Sequence, residues 1–287
     1  MITGIWVPCA GSATPWNTHL GSEENEPDAK YLSANVTYEE YAAMESDREL
    51  SYLRYYGIYY PTYVDDMDLI RSTFNPCKWY HSHIWHAIST FQLTVSHLVF
   101  SLLLIVFLVT DLYGHVTEFG LDESGATTVA KWYTKGRQSI EMAEIMPDEK
   151  TVIISDDGSN TMMTAFVMDT PRDLSSGTLY IAKFNQTSDK YGGSFDISWI
   201  ELGKANQDEL AEMVKSLKFD DIFEFADPTI DGQSCSCPEG FTGINSGNPR
   251  AECLKLKDGM EKAAAFFETR RYGSMMGGTT ELSKFEG

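Results

Sequence analysis

Four places along the 287-residue chain concentrate groups able to ligate a metal or meet phosphate. The first is Cys9, followed by SATPWNTHLGSEEN with Glu23 and Glu24. A thiolate ligates iron or zinc, and paired carboxylates bridge hard cations such as Ca²⁺. Taken alone the set is ordinary, because Glu pairs decorate many surfaces and an isolated Cys is usually a small buried hydrophobe. The second is Glu141 in GRQSIEMAEIMPD, an acidic residue with Glu144 near it. The third is Asp156-Asp157-Gly158 after TVIIS. Acidic residues at a strand end reach into a loop, where ligands bind. The same letters also read as a β-turn, since Asp-Gly is a strong turn signal. The fourth is Glu268-Thr-Arg-Arg-Tyr272. On one helix Glu268 would face Arg271 and Tyr272. That is either a surface ion pair or a metal-binding carboxylate beside two guanidinium groups, Arg270 and Arg271, suited to phosphate oxygens.

The net charge of −20, from 42 acidic and 22 basic residues, sets the context. Such a surface repels nucleic-acid backbone and anionic membrane, which argues against both as partners. Phosphate would be repelled as well, so handling it needs local cations: metal ions or a few placed Arg and Lys. Five Cys leave at least one thiol unpaired. Cys235, Cys237 and Cys253 lie in SCSCPEGFTGINSGNPRAEC, which suits a small disulfide-bonded loop of a secreted protein. Asn35-Val-Thr and Asn185-Gln-Thr are glycosylation sequons pointing the same way. The start, MITGIWVPCAG, lacks the basic end and long apolar middle of a signal peptide.

The elements that would position these groups are mainly strands. Residues 1 to 30, rich in Gly, Pro, Ser and Glu, read as an irregular loop. Thr37 to Tyr56 has helical spacing. His115 to Phe119, Thr151 to Ser155, Met163 to Met168, Thr178 to Phe184 and Phe195 to Leu202 are short β-forming runs separated by turn signals. Strands in succession without intervening helices predict antiparallel sheet, arranged as a propeller or as a sandwich. Asp208 to Lys218, capped from Asn206 or its neighbours, and Gly259 to Tyr272 are the expected helices. The overall class is all-β with minor helices. Phe91 to Thr110 is apolar and formally uncharged for long enough to cross a bilayer, giving a single-pass membrane reading. The preceding CKWYHSHIWHAIST carries His81, His83 and His86, a weak metal set without carboxylate or thiol partners.

Taken together, the segments resemble the PhoX family of alkaline phosphatases. CAGSATPWNTHLGSEEN resembles that family's N-terminal signature. GRQSIEMAE stands in place of its Gly-Arg-Phe-x-His-Glu motif. VIISDDGSNTMMTAFVMDTPRDLSSGTLYIAKFNQT resembles its Asp-Asp strand pair and the strand after it, and AAAFFETRRYGSMMGGTTELSKFEG its Glu-Thr-Arg-Arg-Tyr helix and sequel. Ile140 stands where that motif has His, and Ser22 where the family resembled has Cys before Glu-Glu. The resemblance implies a six-bladed β-propeller with iron and calcium near its axis, hydrolysing a small phosphate ester, secreted or at the cell surface. It also implies metal ligation by Cys9, Glu24, Glu141, Asp157 and Glu268, with Glu23 and Asp156 as near alternatives, and phosphate contact by Arg270 or Arg271. FNPC at Phe74 to Cys77 belongs beside YGHVTEF at Tyr113 to Phe119. Residues 1–76 and 113–287 are then propeller, and 77–112 an insertion, either a membrane segment or a gene-model artefact. The family continues past the position matched by Gly287, so activity is expected only if the missing contacts are supplied; the rival readings are a non-catalytic calcium-stabilised propeller and a membrane-anchored interaction protein.

Overall fold

The computed structural model describes residues 4–24, 26–30, 110–158, 160–231, 234–244 and 252–278. The chain divides into two compact units, Tyr31–Thr110 and the remainder. Apart from Thr110, every described residue belongs to the second of these. The helix expected at Thr37 to Tyr56, the three His and the apolar run up to its last residue lie outside the described residues. Among the described residues no helix is long and apolar enough to cross a membrane.

Two antiparallel meanders dominate. The first joins β1 (Pro8–Ala13), β2 (His19–Glu23), β3 (Val116–Leu121) and β4 (Thr127–Trp132) in sequence order. The second joins β5 (Ile140–Ile145), β6 (Thr151–Asp156), β7 (Met163–Met168), β8 (Ser176–Ser188) and β9 (Ser194–Asn206), again in order. Alternation writes the second sheet plainly. Val152 and Ile154 on β6, Phe166 and Met168 on β7, and Leu179 and Ile181 on β8 are buried, as period-two patterning requires. Smaller sheets follow: β10 (Phe223–Ala226) with β13 (Thr242–Ile244) and β14 (Glu252–Leu256), and β11 (Thr229–Asp231) with β12 (Ser234–Ser236). The all-β class with minor helices holds for the described residues. Their sheets are antiparallel, and none of them closes into a barrel.

Residues 1 to 30 depart from the irregular loop expected. β1 and β2 pair in register from Gly11↔Gly21 to Ala13↔His19, and β2 continues against β3. Pro, Gly, Ala and Ser carry little β-propensity, so the sequence hides these strands. Their partners explain them: a Cβ on Gly11 would lie 2.4 Å from the Leu20 carbonyl oxygen, an approach that only glycine allows.

The helices are shorter than their patterns suggested. α1 (Gln207–Met213) is capped by Asn206, whose side chain accepts from the Glu209 amide, but it ends before Lys218. α2 (Phe219–Ile222) follows after residues 214–218. The expected helix Gly259 to Tyr272 is two pieces, α3 (Glu261–Phe267) and α4 (Thr269–Met275), separated at Glu268 with φ −132° and ψ 45°. Thr269 accounts for the break. Its hydroxyl donates to the Ala265 carbonyl at 2.8 Å and accepts from the Arg137 amide at 2.9 Å. A threonine that bonds back to the preceding turn bends a helix. The run Ala263 to Phe267 on α3 is wholly buried, with Ala265 and Phe266 against β9 at Gly203.

Candidate metal centre

The two large sheets approach each other through their first strands. The Ser12 hydroxyl on β1 donates to the Ala143 carbonyl on β5 at 2.6 Å. Both strands are irregular beside this junction. On β1 the register passes from Pro8↔Glu23 to Gly11↔Gly21, so Cys9 and Ala10 oppose Ser22 alone. On β5 it passes from Ile140↔Asp156 to Met142↔Ser155, leaving Glu141 as the extra residue. A β-bulge re-aims the side chain it carries. Here the two bulges aim at one another, and the Cys9 thiol donates to Glu141 Oε2 at 3.5 Å. Glu24, just beyond β2, completes the set; one ligand atom from each of Cys9, Glu24 and Glu141 lies within 4.8 Å of the others. The Glu24 segment is fixed by its amide, which donates to the Val7 carbonyl at 3.0 Å. Val7 has φ +35°, a strained conformation for a β-branched residue.

Cys9 is exposed rather than the buried hydrophobe an isolated cysteine suggests. Partial desolvation, with Glu24 and Glu141 adding to it, pushes its thiol up to about 11. The two neighbouring carboxylates disfavour a further negative charge, and a nearby cation would reverse that preference. One sulfur and two carboxylates converging from three segments form a donor set fitted to a metal that accepts both thiolate and oxygen.

The other candidate residues have different surroundings. Glu23 is fully buried and its carboxylate is engaged: it accepts from the amides of Trp6, Gly114 and His115 and pairs with Lys131 at 2.8 Å. Burial raises its pKa, against the pull of Lys131. Asp156 closes β6 and is clasped by Arg270, whose Nε lies 2.9 Å from both carboxylate oxygens. Burial pushes Asp156 up to about 7, against Arg270. Asp157 follows in the loop, where its amide donates to the Ser139 carbonyl at 2.8 Å and its own carbonyl accepts from Arg270 Nη2 at 2.6 Å. Gly158 then turns the chain with φ +114°.

Glu268 and Arg271 are buried, so the surface ion pair gives way to an interior network. Arg271 reaches Glu268 through Nη1, Glu252 through Nε and Asp28 through Nη2, each at 2.8 Å. Lys30 adds a second contact to Glu252 at 2.8 Å. Burial opposes ionisation of Asp28, but Arg271 wins and holds it low. Glu268, pushed by burial up to about 7, keeps one oxygen without a hydrogen bond, 3.9 Å from Arg137 Nη1. Both arginines expected at phosphate are thus occupied by carboxylates. The sequence reading missed Glu26, Asp28, Glu252, Lys131 and Arg137. Only the acidic run EENEPD hinted at the first two.

The profile described as alkaline phosphatase PhoX matches residues 1–287. The chain belongs to the PhoX family. Among solved structures it is similar to Pseudomonas fluorescens PhoX in complex with vanadate, a transition state analogue. The identity is 18% and the TM-score 0.40, over 80% of this chain and 38% of that one. The chain therefore spans well under half the length of that PhoX-family relative. None of the curated proteins matches.

Proposed function

We propose that the protein is a metal-dependent phosphate-ester hydrolase built around Cys9, Glu24 and Glu141. The observation that carries this reading is the convergence of those three side chains from β1, the end of β2 and β5. Family membership supplies the reaction class. The donor set favours iron at the thiolate, and calcium is suited to carboxylates such as Glu24, Glu141 and Asp157. Bound there, a cation would supply charge for the phosphoryl oxygens and a lowered pKa for a bound water. The chain's own contribution is positional. The two bulges fix Cys9 and Glu141 across the sheet junction, and the Glu24–Val7 backbone bond fixes the third ligand's segment. A site this compact suits a small phosphate ester, and a surface of net charge −20 disfavours nucleic acid.

The two sheets fit blades of a six-bladed propeller. Each runs in sequence order, and their first strands meet at one place, as inner strands around a channel do. The Cys237–Cys253 disulfide supports an oxidising, secretory location.

The test is metal analysis of the purified protein after incubation with Fe³⁺ and Ca²⁺, alongside hydrolysis of a generic phosphomonoester. Binding and turnover that are both lost in Cys9→Ser and Glu141→Gln are the expected result. Metal bound without turnover leaves a non-catalytic, metal-stabilised propeller, and absence of binding sinks the metal-centre reading itself.

A further inference from the structure

Arg270 is placed where none of the candidate ligands could place themselves. Its side chain is 13% exposed and projects from α4 toward two separate stretches of chain, residues 156–157 and Glu26. Nε and Nη2 hold both oxygens of Asp156. Nη2 also donates to the Asp157 carbonyl, and Nη1 lies 3.2 Å from Glu26 Oε1. Each contact is a short distance along the chain from a candidate ligand. Glu26 is two residues past Glu24. Asp156 sits opposite Ile140, so it frames the bulge that aims Glu141. Asp157 is itself a candidate, and its amide donates to the Ser139 carbonyl just before that bulge.

We propose that Arg270 is a positioning residue of the metal centre, a part-buried guanidinium that sets the spacing of the Glu24, Glu141 and Asp157 segments without touching the metal or the ester. This rests on the reading of Cys9, Glu24 and Glu141 as a metal site. The guanidinium suits the task chemically. Its planar fork presents five donors in fixed directions, and here they serve two carboxylates and one carbonyl at once. A lysine offers one point charge and cannot span the same partners. The role also explains how the chain after β9 bears on the site. Thr269 accepts from the Arg137 amide, holding α4 against the segment that leads into β5, and Arg270 follows it.

Titration of the metal-free protein with Co²⁺, read by thiolate-to-cobalt charge-transfer absorption, tests the role. Thermal unfolding is followed in parallel. Arg270→Lys keeps the charge and should weaken Co²⁺ binding by about ten- to a hundredfold, the usual cost of losing a group that orients ligands, and shift the absorption band. A residue that only stabilised the fold would lower the unfolding temperature and leave the affinity and band of the folded protein unchanged, which overturns the proposal. Should Arg270→Lys fail to fold, Glu26→Gln decides. It leaves the Asp156 clasp intact and should weaken Co²⁺ binding in the same direction by a smaller factor; unchanged binding there overturns the role. A wild-type protein without the charge-transfer band overturns the metal-centre reading, a result distinct from an intact wild-type band that the variants fail to alter.

Discussion

Among the described residues, the acidic clusters around Arg271 and around Cys9 are built in opposite ways. Around Arg271, the carboxylates of Asp28, Glu252 and Glu268 meet one buried guanidinium, with Lys30 beside it. Around Cys9, the Glu24 and Glu141 carboxylates meet a thiol at the exposed edge of β1. In the first, opposite charges are matched in low dielectric, so removing one leaves others stranded. In the second, like-signed groups are gathered by backbone irregularities. The same residue types make an internal brace in one place and gather donor atoms around a thiol in the other. The partner decides which, and the carboxylates do not.

That contrast can be broken first at Arg271. Arg271→Met should cost roughly 3–5 kcal/mol, because buried carboxylates lose their counter-charge; urea unfolding measures it, and a loss below about 1 kcal/mol would mean the network is solvated. Next comes the Cys237–Cys253 bridge, which closes a loop with a sequence separation of 16 and ties down the strand carrying Glu252. Replacing both Cys by Ser should cost about 3 kcal/mol by the same measurement. Gly136→Ala is the third. That residue has φ +77°, and a Cβ there would lie 2.7 Å from Thr269 Oγ1. The expected loss exceeds about 1 kcal/mol, and a neutral result would show that the packing of α4 on the β5 approach is loose.

The smallest effect on the bare fold belongs to the other cluster. Glu141→Gln should change metal-free stability by no more than about 0.5 kcal/mol. On the proposed metal-centre reading, Fe³⁺ or Ca²⁺ should raise the unfolding temperature of the wild type and leave that of this variant unchanged. A large loss of metal-free stability in this variant would erase the distinction between brace and binding site.

Legibility in the sequence followed the same division. Four strands of the second sheet, β6 to β9, could be read because runs such as Thr151 to Ser155 and Thr178 to Phe184 are rich in β-formers and bounded by turn signals, whereas β5 was not among those runs. The first two strands could not, since Pro8 to Ala13 is small-residue sequence whose pairing depends on β3, far along the chain. Cys9, Glu24 and Glu141 were each visible as ligand types, but nothing local brings them together; two bulges do, and bulges have no strong residue signature. Glu268 and Arg271 read as neighbours on one helix face. Their burial, the break at Glu268 and the partners Asp28 and Glu252 come from distant segments.

The pairing of β2 with β3 carries a kinetic consequence. Those strands are joined only after residues 24–115 have been brought round, whereas β6 and β7 meet across residues 157–162. Pairing across the longer sequence separation is the slower event. The second sheet is therefore expected to gain amide protection first during refolding, with the first sheet following as the slow step. Pulse-labelled hydrogen exchange that found β2 and β3 protected before β6 and β7 would reverse that order. Until the slow step is complete, Cys9 and Glu141 belong to separate parts of the chain, so capacity to take up metal should rise with the late kinetic phase.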